Sequence, residues 1–237
     1  MISVDVTFSA RCVDEEKIKD SVVVVIDVLR ATSVMIKAFE NGIKEIIPVL
    51  TPEEAFAVKR TLNGNVILGG ERNAEKIPGF DLDNSPLSYE NKIVNGSTLV
   101  MTTTNGTAAI RGAENASEVL IGAFLNAGAV VDELQGKKKV NFVCAGTNGN
   151  YTLEDGLCSG YMIDMMMKKS ELSMSDSAVL IHSFYLQSNG DVRKAASLSY
   201  HYRVLEEKGF GKDLKVCFRM NESNIVPFYS NGKIKNR

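Results

Sequence analysis

Residues 22–26 read Val-Val-Val-Val-Ile, five β-branched side chains in a row, with Asp27 directly behind them. Such side chains favour extended backbone, and an apolar run without alternation suits a strand covered on both faces. Burial of both faces is characteristic of parallel sheets in α/β proteins, so this stretch predicts an α/β fold. Arg30 stands three residues beyond Asp27. From Ala31 the spacing becomes helical, with Val34, Ile36, Ala38 and Phe39 as core contacts and Gly42 as the stop. In open α/β sheets ligands bind beyond the carboxyl ends of strands, where loops meet helix N-termini. A carboxylate and a guanidinium there can hold a cation and an anion side by side.

The rest of the chain repeats the strand and helix alternation. Ile2–Phe8 alternates and predicts a strand, and Arg11–Asp20 a polar connection. Further strands are expected at Glu45–Leu50, Val66–Leu68, Thr98–Thr102, Glu118–Ile121 and Lys139–Ala145. Thr51-Pro52-Glu53-Glu54 is a helix start, with a capping Thr, Pro at the first helical position and acids in the first turn. That helix reaches Thr61, and others are expected at Ala108–Glu114, Asn126–Leu134, Leu153–Lys168, Asp176–Gln187 and Asp191–Lys208. Lys215–Met220 and Ile225–Tyr229 are read as edge strands, and the final SNGKIKNR as a frayed end. Glu71–Tyr89 has no period and holds two prolines; a loop this long in a compact domain is usually functional or disordered. Ser33–Ile47 parallels Thr107–Leu120, which suggests an internal βαβ duplication. The expectation is one α/β domain over residues 1–237, a three-layer α/β/α arrangement with a largely parallel or mixed central sheet, and a helical portion at 173–211.

Composition narrows the function. Hydrophobic residues make up 44% and charged residues 24%, which is ordinary for a globular protein. A formal charge of −2 argues against a nucleic-acid binder, since duplex affinity rests on clustered Lys and Arg. No apolar run approaches the roughly 20 residues that span a bilayer, and the N-terminus lacks the pattern of a secretory signal, so a cytoplasmic protein is expected. Four scattered cysteines without a CxxC pair offer neither a disulfide framework nor a thiolate zinc site. His182 and His201, the only histidines, are nineteen positions apart and make His-rich metal sites and histidine-phosphatase chemistry poor bets. The Met162 and Met165–Met167 stretch reads as core packing or a homodimer face.

Four polar clusters fall at expected strand ends: Asp27 with Arg30; Glu71 and Arg72 through Ser85; Thr102–Thr107; and Gly146–Asp155. Any one of them is ordinary turn chemistry, but four along one sheet edge point to a site. Thr102-Thr103-Thr104-Asn105-Gly106-Thr107 offers hydroxyls, an amide and backbone N–H groups at a helix N-terminus, which suits an anion. It lacks the Gly-Lys-Ser/Thr of a nucleotide-binding P-loop. Arg30 and Arg72 can each clasp an oxyanion with paired donors. Asp27, Glu154 and Asp155 are candidate ligands for a hard cation; magnesium needs only one to three acids because it keeps several waters.

The segments VIDVLRATS, GGERN…PGFDLDNSP, TTTNGT and AGTNG…LEDG, in this order, resemble the 2-phosphosulfolactate phosphatases, magnesium-dependent enzymes of coenzyme M and sulfolactate metabolism. The likeness runs from Val22 to Gly160. It implies hydrolysis of 2-phospho-3-sulfolactate to 3-sulfolactate and phosphate with Mg²⁺. The implied site residues are Asp27, Arg30, Glu71, Arg72, Asn84, Ser85, Thr103, Thr104, Asn105, Gly106, Thr107, Glu154 and Asp155. Asp83 departs from the pattern, where Gly is expected before Asn-Ser-Pro.

Other phosphatase chemistries lack their letters. Asp27 is not followed by a second Asp two residues on, no cysteine has Arg in a Cys-x₅-Arg motif, and there is no Arg-His-Gly. The expected mechanism is metal-assisted, in-line attack by water. Asp27 with Glu154 or Asp155 would hold Mg²⁺, while Arg30 and Thr103–Thr107 would stabilise the transferring phosphoryl group. Glu71 would orient the water as base, and Arg72 with Asn84 and Ser85 would hold the sulfonate or carboxylate. Asp27 as a covalent nucleophile stays open. So do two other functions: a non-catalytic binder of small organic anions, and a phosphatase of other small monoesters.

Overall fold

In the computed structural model, which describes residues 1–237, the chain begins β1 (Ile2–Thr7), α1 (Glu15–Ile18), β2 (Val22–Ile26), α2 (Ala31–Glu40), β3 (Glu45–Pro48) and α3 (Pro52–Thr61). It continues β4 (Val66–Arg72), β5 (Glu75–Lys76), β6 (Thr98–Thr102), α4 (Gly106–Gly112), β7 (Glu118–Gly122), α5 (Ala127–Glu133) and β8 (Lys139–Cys144). The last part is α6 (Leu153–Met167), β9 (Leu172–Met174), α7 (Asp176–Gln187), α8 (Val192–Ala196), α9 (Tyr200–Glu207), α10 (Gly211–Cys217), β10 (Phe228–Ser230) and β11 (Lys233–Lys235).

The fold is α/β, a three-layer arrangement around one mixed sheet of order β5-β4-β6-β3-β11-β10-β7-β2-β8-β1-β9. The β-branched run behaves as its composition demands. All five residues of β2 are buried, and β2 lies between parallel neighbours β7 and β8. Val22, Val24 and Ile26 face a core shared with α5, α6 and α7, whereas Val23 and Val25 face one shared with α2 and α4. Three of the four methionines of α6 serve the first core, Met162 and Met166 fully buried and Met165 partly, whereas Met167 is exposed.

Two parallel half-sheets make up most of the sheet, β4-β6-β3, with β5 antiparallel at its edge, and β7-β2-β8-β1-β9. Helix α2 carries the chain from β2 in one half to β3 in the other, and α4 carries it back from β6 to β7. The two similar segments of sequence are these two crossovers. Between the halves lies the C-terminal hairpin. β10 pairs antiparallel with β7 and β11 with β3, through Tyr229 opposite Val119 and Ile234 opposite Ile46.

This corrects the reading of the C-terminus. SNGKIKNR is no frayed end but a two-residue Asn231-Gly232 turn, both residues at positive φ, followed by a strand in the middle of the sheet. Such a primed turn matches the natural twist of a hairpin. Lys233 pairs with Glu45 at 2.9 Å, and Arg237 pairs with Glu118 and Glu133. Lys215–Met220, expected as a strand, lies in α10 and the turn after it, because Leu214 and Cys217 share one buried helical face. The expected Asp191–Lys208 helix breaks at Ser197–Ser199 into α8 and α9; serines favour turns and caps over helix interiors. α1, β5 and β9 are additions that the sequence pattern did not announce.

The central placement of the hairpin predicts its energetic weight. Ile234 is fully buried, so Ile234→Ala should cost about 2–5 kcal/mol of unfolding free energy, measured by urea titration. A change within a few tenths of a kcal/mol would show that the segment is peripheral.

Candidate active site

The carboxyl ends of β2, β4, β6 and β8 converge on a cavity of about 210 Å³. Asp27, Leu29 and Arg30 line it after β2, Glu71, Asn73 and Ala74 from the end of β4, Thr103, Thr104 and Asn105 after β6, and Thr147 and Asn148 after β8. Asn84 comes from the long loop. All four polar clusters therefore contribute. β2 and β6 are five inter-strand steps apart, about 24 Å in a flat sheet, yet their ends meet here, so the sheet is curved.

Asp27 is anchored by one oxygen. Ala31 N–H donates to Oδ1 at 3.3 Å, while Oδ2 accepts no hydrogen bond from the chain. Gly106 makes room for it: a Cβ there would stand 2.6 Å from Oδ2 and 2.6 Å from the Ala31 methyl. Burial, then the nearby Asp155, Glu71 and Glu154 carboxylates, push the Asp27 carboxyl well above its usual range. A cation beside Oδ2 would relieve that.

Arg30 and Glu71 are held firmly. The guanidinium is 2% exposed; Nη1 donates to Asp213 Oδ2 at 2.6 Å, Nη2 donates to Ala74 O at 3.3 Å, and the group stacks 4.1 Å over the Phe210 ring. Ser85 Oγ donates to the other Asp213 oxygen at 2.8 Å. Asp213 escaped the sequence reading because it sits in an unremarkable helix 183 positions away. Glu71 accepts from Ala74 N–H and from Thr104 N–H, both at 2.8 Å. With one backbone donor on each oxygen it braces two loops, and its expected place as the base is not favoured by this geometry.

The threonine turn is mostly self-bonded. Thr103 and Thr107 each donate N–H to the other's hydroxyl at 3.1 Å, and Thr107 Oγ1 donates to Thr103 O. Asn105 Oδ1 accepts from Asn148 N–H at 3.0 Å and ties this turn to the one after β8. The N–H groups of Asn105 and Gly106 donate to no group of the chain and remain open.

Six expected site residues do not line the cavity: Ser85 is spent on Asp213, Gly106 and Thr107 lie behind the lining of the threonine turn, and Arg72, Glu154 and Asp155 stand elsewhere. Asp155 is enclosed by Val28 N–H, Gly146 N–H and Thr152 Oγ1, at 2.9, 3.1 and 2.8 Å, which tie the end of β2 to the end of β8. Burial raises its carboxyl to about 6 against those three donors. Glu154 is buried off the cavity with Oε2 unpartnered, and burial and Asp155 push it to about 8. No three His, Cys, Asp or Glu side chains cluster closely enough to hold a metal, so Asp27, Glu154 and Asp155 do not form one ligand set. Arg72 does not line the cavity; it donates to Glu71 O, Leu50 O and Thr102 Oγ1. Asp83, the departure from pattern, accepts Ser85 N–H at 2.9 Å and shapes the turn that presents Asn84.

The helical wall was missed altogether. α9 and its C-cap supply Tyr200, His201, Val204, Leu205 and Lys208. The spacing 201, 204, 205, 208 is one helical face, which was the available signal. Lys208 Nζ donates to Asn73 O at 2.7 Å and to Glu75 at 3.1 Å, joining this wall to the β4–β5 hairpin.

The 2-phosphosulpholactate phosphatase family model matches residues 8–232. This chain belongs to that family. A probable 2-phosphosulfolactate phosphatase of Clostridium tetani (strain Massachusetts / E88) is 45% identical over 236 residues, covering 99% of this chain and 100% of the relative. Proteins of the same description from Clostridium novyi (strain NT) and Clostridium acetobutylicum are each 42% identical, covering 98% of this chain and 99% and 100% of theirs. The family is one of phosphoric monoester hydrolases, and for such chemistry this cavity has the right contents: a buried free carboxylate oxygen, a fixed guanidinium and open backbone donors.

Two outcomes follow from the buried charges. Asp213→Ala would strand Arg30, and breaking a buried pair costs about 3–5 kcal/mol; urea unfolding should show it. Glu154 and Asp155 bind protons more tightly folded, at about 8 and 6, than at their ordinary 4.5 and 3.8. The folded state then holds more protons, so in a chelating buffer stability should fall as pH rises from 4 to 8. A melting temperature that rises across that window would contradict these environments.

Proposed function

We propose that this protein is a magnesium-dependent phosphatase that hydrolyses 2-phospho-3-sulfolactate to 3-sulfolactate and phosphate in the cytoplasm. The observation that carries the reading is Asp27, buried at the end of β2 with Oδ2 unpaired and packed against Gly106, in a turn whose Asn105 and Gly106 N–H groups are open. Family membership supports it. No helix is long and apolar enough to cross a membrane.

The donor set fits magnesium. Asp27 offers an oxygen, no thiolate lines the cavity, and the carboxylates of Asp155, Glu71 and Glu154 crowd Asp27, so a cation there would offset their mutual repulsion. Asp27 would hold the ion, which takes one or two carboxylates and keeps its waters and substrate oxygens. When bound, Mg²⁺ neutralises charge on the phosphoryl oxygens.

The chain's own groups do the positioning. Arg30, preset by Asp213 and Phe210, presents its remaining donors to the phosphoryl group without having to reorganise. The Asn105 and Gly106 N–H groups receive phosphoryl oxygens at the start of α4. Glu71 and Asp155 keep the four strand-end turns in register. Asn84 in the cavity wall, through its Nδ2 donors, and Lys208 at the rim read the sulfonate and carboxylate end of the substrate. Arg72, spent on three oxygens of the fold, braces β4 against β6.

Phosphate release from 2-phosphosulfolactate, with and without Mg²⁺, tests this. Wild type should need the metal and should strongly prefer this ester to plain 2-phospholactate. Asp27→Asn should lose roughly 10²–10³-fold in kcat, the scale of a lost transition-state contact. Mg²⁺ should raise the melting temperature of wild type and not of Asp27→Asn. Tight binding of the ester with no turnover at any Mg²⁺ concentration would sink the enzyme reading.

A further inference from the structure

The phosphatase reading leaves the attacking water without a base. The carboxylates lining the cavity are committed: both Glu71 oxygens accept backbone N–H groups, and Asp27 is bound at Oδ1 and assigned to the cation at Oδ2. Lys208 is a cation tied to Asn73 O and Glu75, and threonine and asparagine are not bases at neutral pH. His201 remains, the only imidazole in the cavity wall.

Its hydrogen bonding settles which nitrogen is free. Nε2 lies 2.8 Å from Leu29 O. A carbonyl only accepts, so Nε2 carries the hydrogen and Nδ1 of the neutral ring carries the lone pair. The Leu29 carbonyl belongs to the turn that follows Asp27, so the ring is oriented by the segment that carries the proposed metal ligand.

Resting on the phosphatase reading, we infer that His201 is the catalytic base, with Nδ1 accepting the proton of the water that attacks phosphorus. Oxygen of water bonds to phosphorus as the bond from phosphorus to the lactate C2 oxygen breaks. The bonding pair leaves with that oxygen, which takes a proton from solvent, and His201 returns its proton to solvent. Products are the free alcohol and inorganic phosphate, and the imidazole is regenerated neutral. Burial holds His201 below its ordinary 6.5; the hydrogen bond to Leu29 O and the Glu71 carboxylate oppose this, and Arg30 acts with burial. Asp27 and Lys208 are the other charged groups on the same cavity.

The sign of the pH dependence follows. The neutral ring is the active form, so kcat/KM with saturating Mg²⁺ should fall as pH drops through a value below 6.5. His201→Gln keeps a donor where Nε2 stands and has no proton-accepting nitrogen. A structural role predicts that this variant works; a base predicts that kcat falls about 10²–10³-fold and the acid limb vanishes. Imidazole added to His201→Ala should restore activity in proportion to its neutral fraction. His201→Gln turning over at the wild-type rate overturns the inference alone. A wild-type kcat/KM with no acid limb at any pH below 6.5 at which the protein stays folded does the same without relying on any variant to fold. Wild type without turnover overturns the phosphatase reading and this inference together.

Discussion

Tyr229 against Val119 and Ile234 against Ile46 are short backbone pairings, but they join two half-sheets that otherwise have no contact edge to edge. Without the β10–β11 hairpin, β3 and β7 would each expose a row of unpaired backbone groups, a state that folded proteins avoid. With it, the sheet becomes continuous and curves, and the ends of β2 and β6 approach each other. The cavity is a product of that closure. Its walls come from both halves, and the chain must be complete to its last strand before they face one another.

Within that frame a division of labour among carboxylates emerges. Glu71 binds a backbone donor from its own hairpin and one from the turn after β6. Asp155 does the equivalent in the other half, binding donors after β2 and after β8. Each carboxylate clamps two strand-end turns that have no regular secondary structure to hold them. Burying these charges is costly unless every oxygen is satisfied, and both are. Asp27 differs in leaving one oxygen free, and Arg30 in having its orientation set before any ligand arrives. Such preset dipoles and charges stabilise a transition state without reorganising at the moment of reaction.

The regular parts of this architecture were legible because they follow from local rules. The β-branched run, the Thr51-Pro52 cap and the four polar strand ends each rest on chemistry within a few residues, and each stands where the pattern places it. The C-terminal hairpin was misread for lack of apolar content, although Asn231-Gly232 is a strong short-range hairpin signal. Its counterpart at Asn73-Ala74 puts an alanine at φ +65°, which no residue preference announces. Asp213 and His201 were invisible for a different reason: their partners, Arg30 and Leu29 O, lie more than 170 positions away, and only tertiary folding joins them. Asp155 was read as a metal ligand because acids in a first helical turn look alike whether they bind an ion or the ends of two strands.

The central claim is that the curved sheet builds one anion site between Asp27, Arg30 and the turn after β6. A crystal structure of the protein grown with Mg²⁺, 3-sulfolactate and phosphate tests it most directly. The account predicts a cation on Asp27 Oδ2, with phosphate between it and the Asn105 and Gly106 N–H groups, and sulfolactate toward Asn84 and Lys208. Ligand density outside this cavity, with only solvent against Asp27, would contradict it.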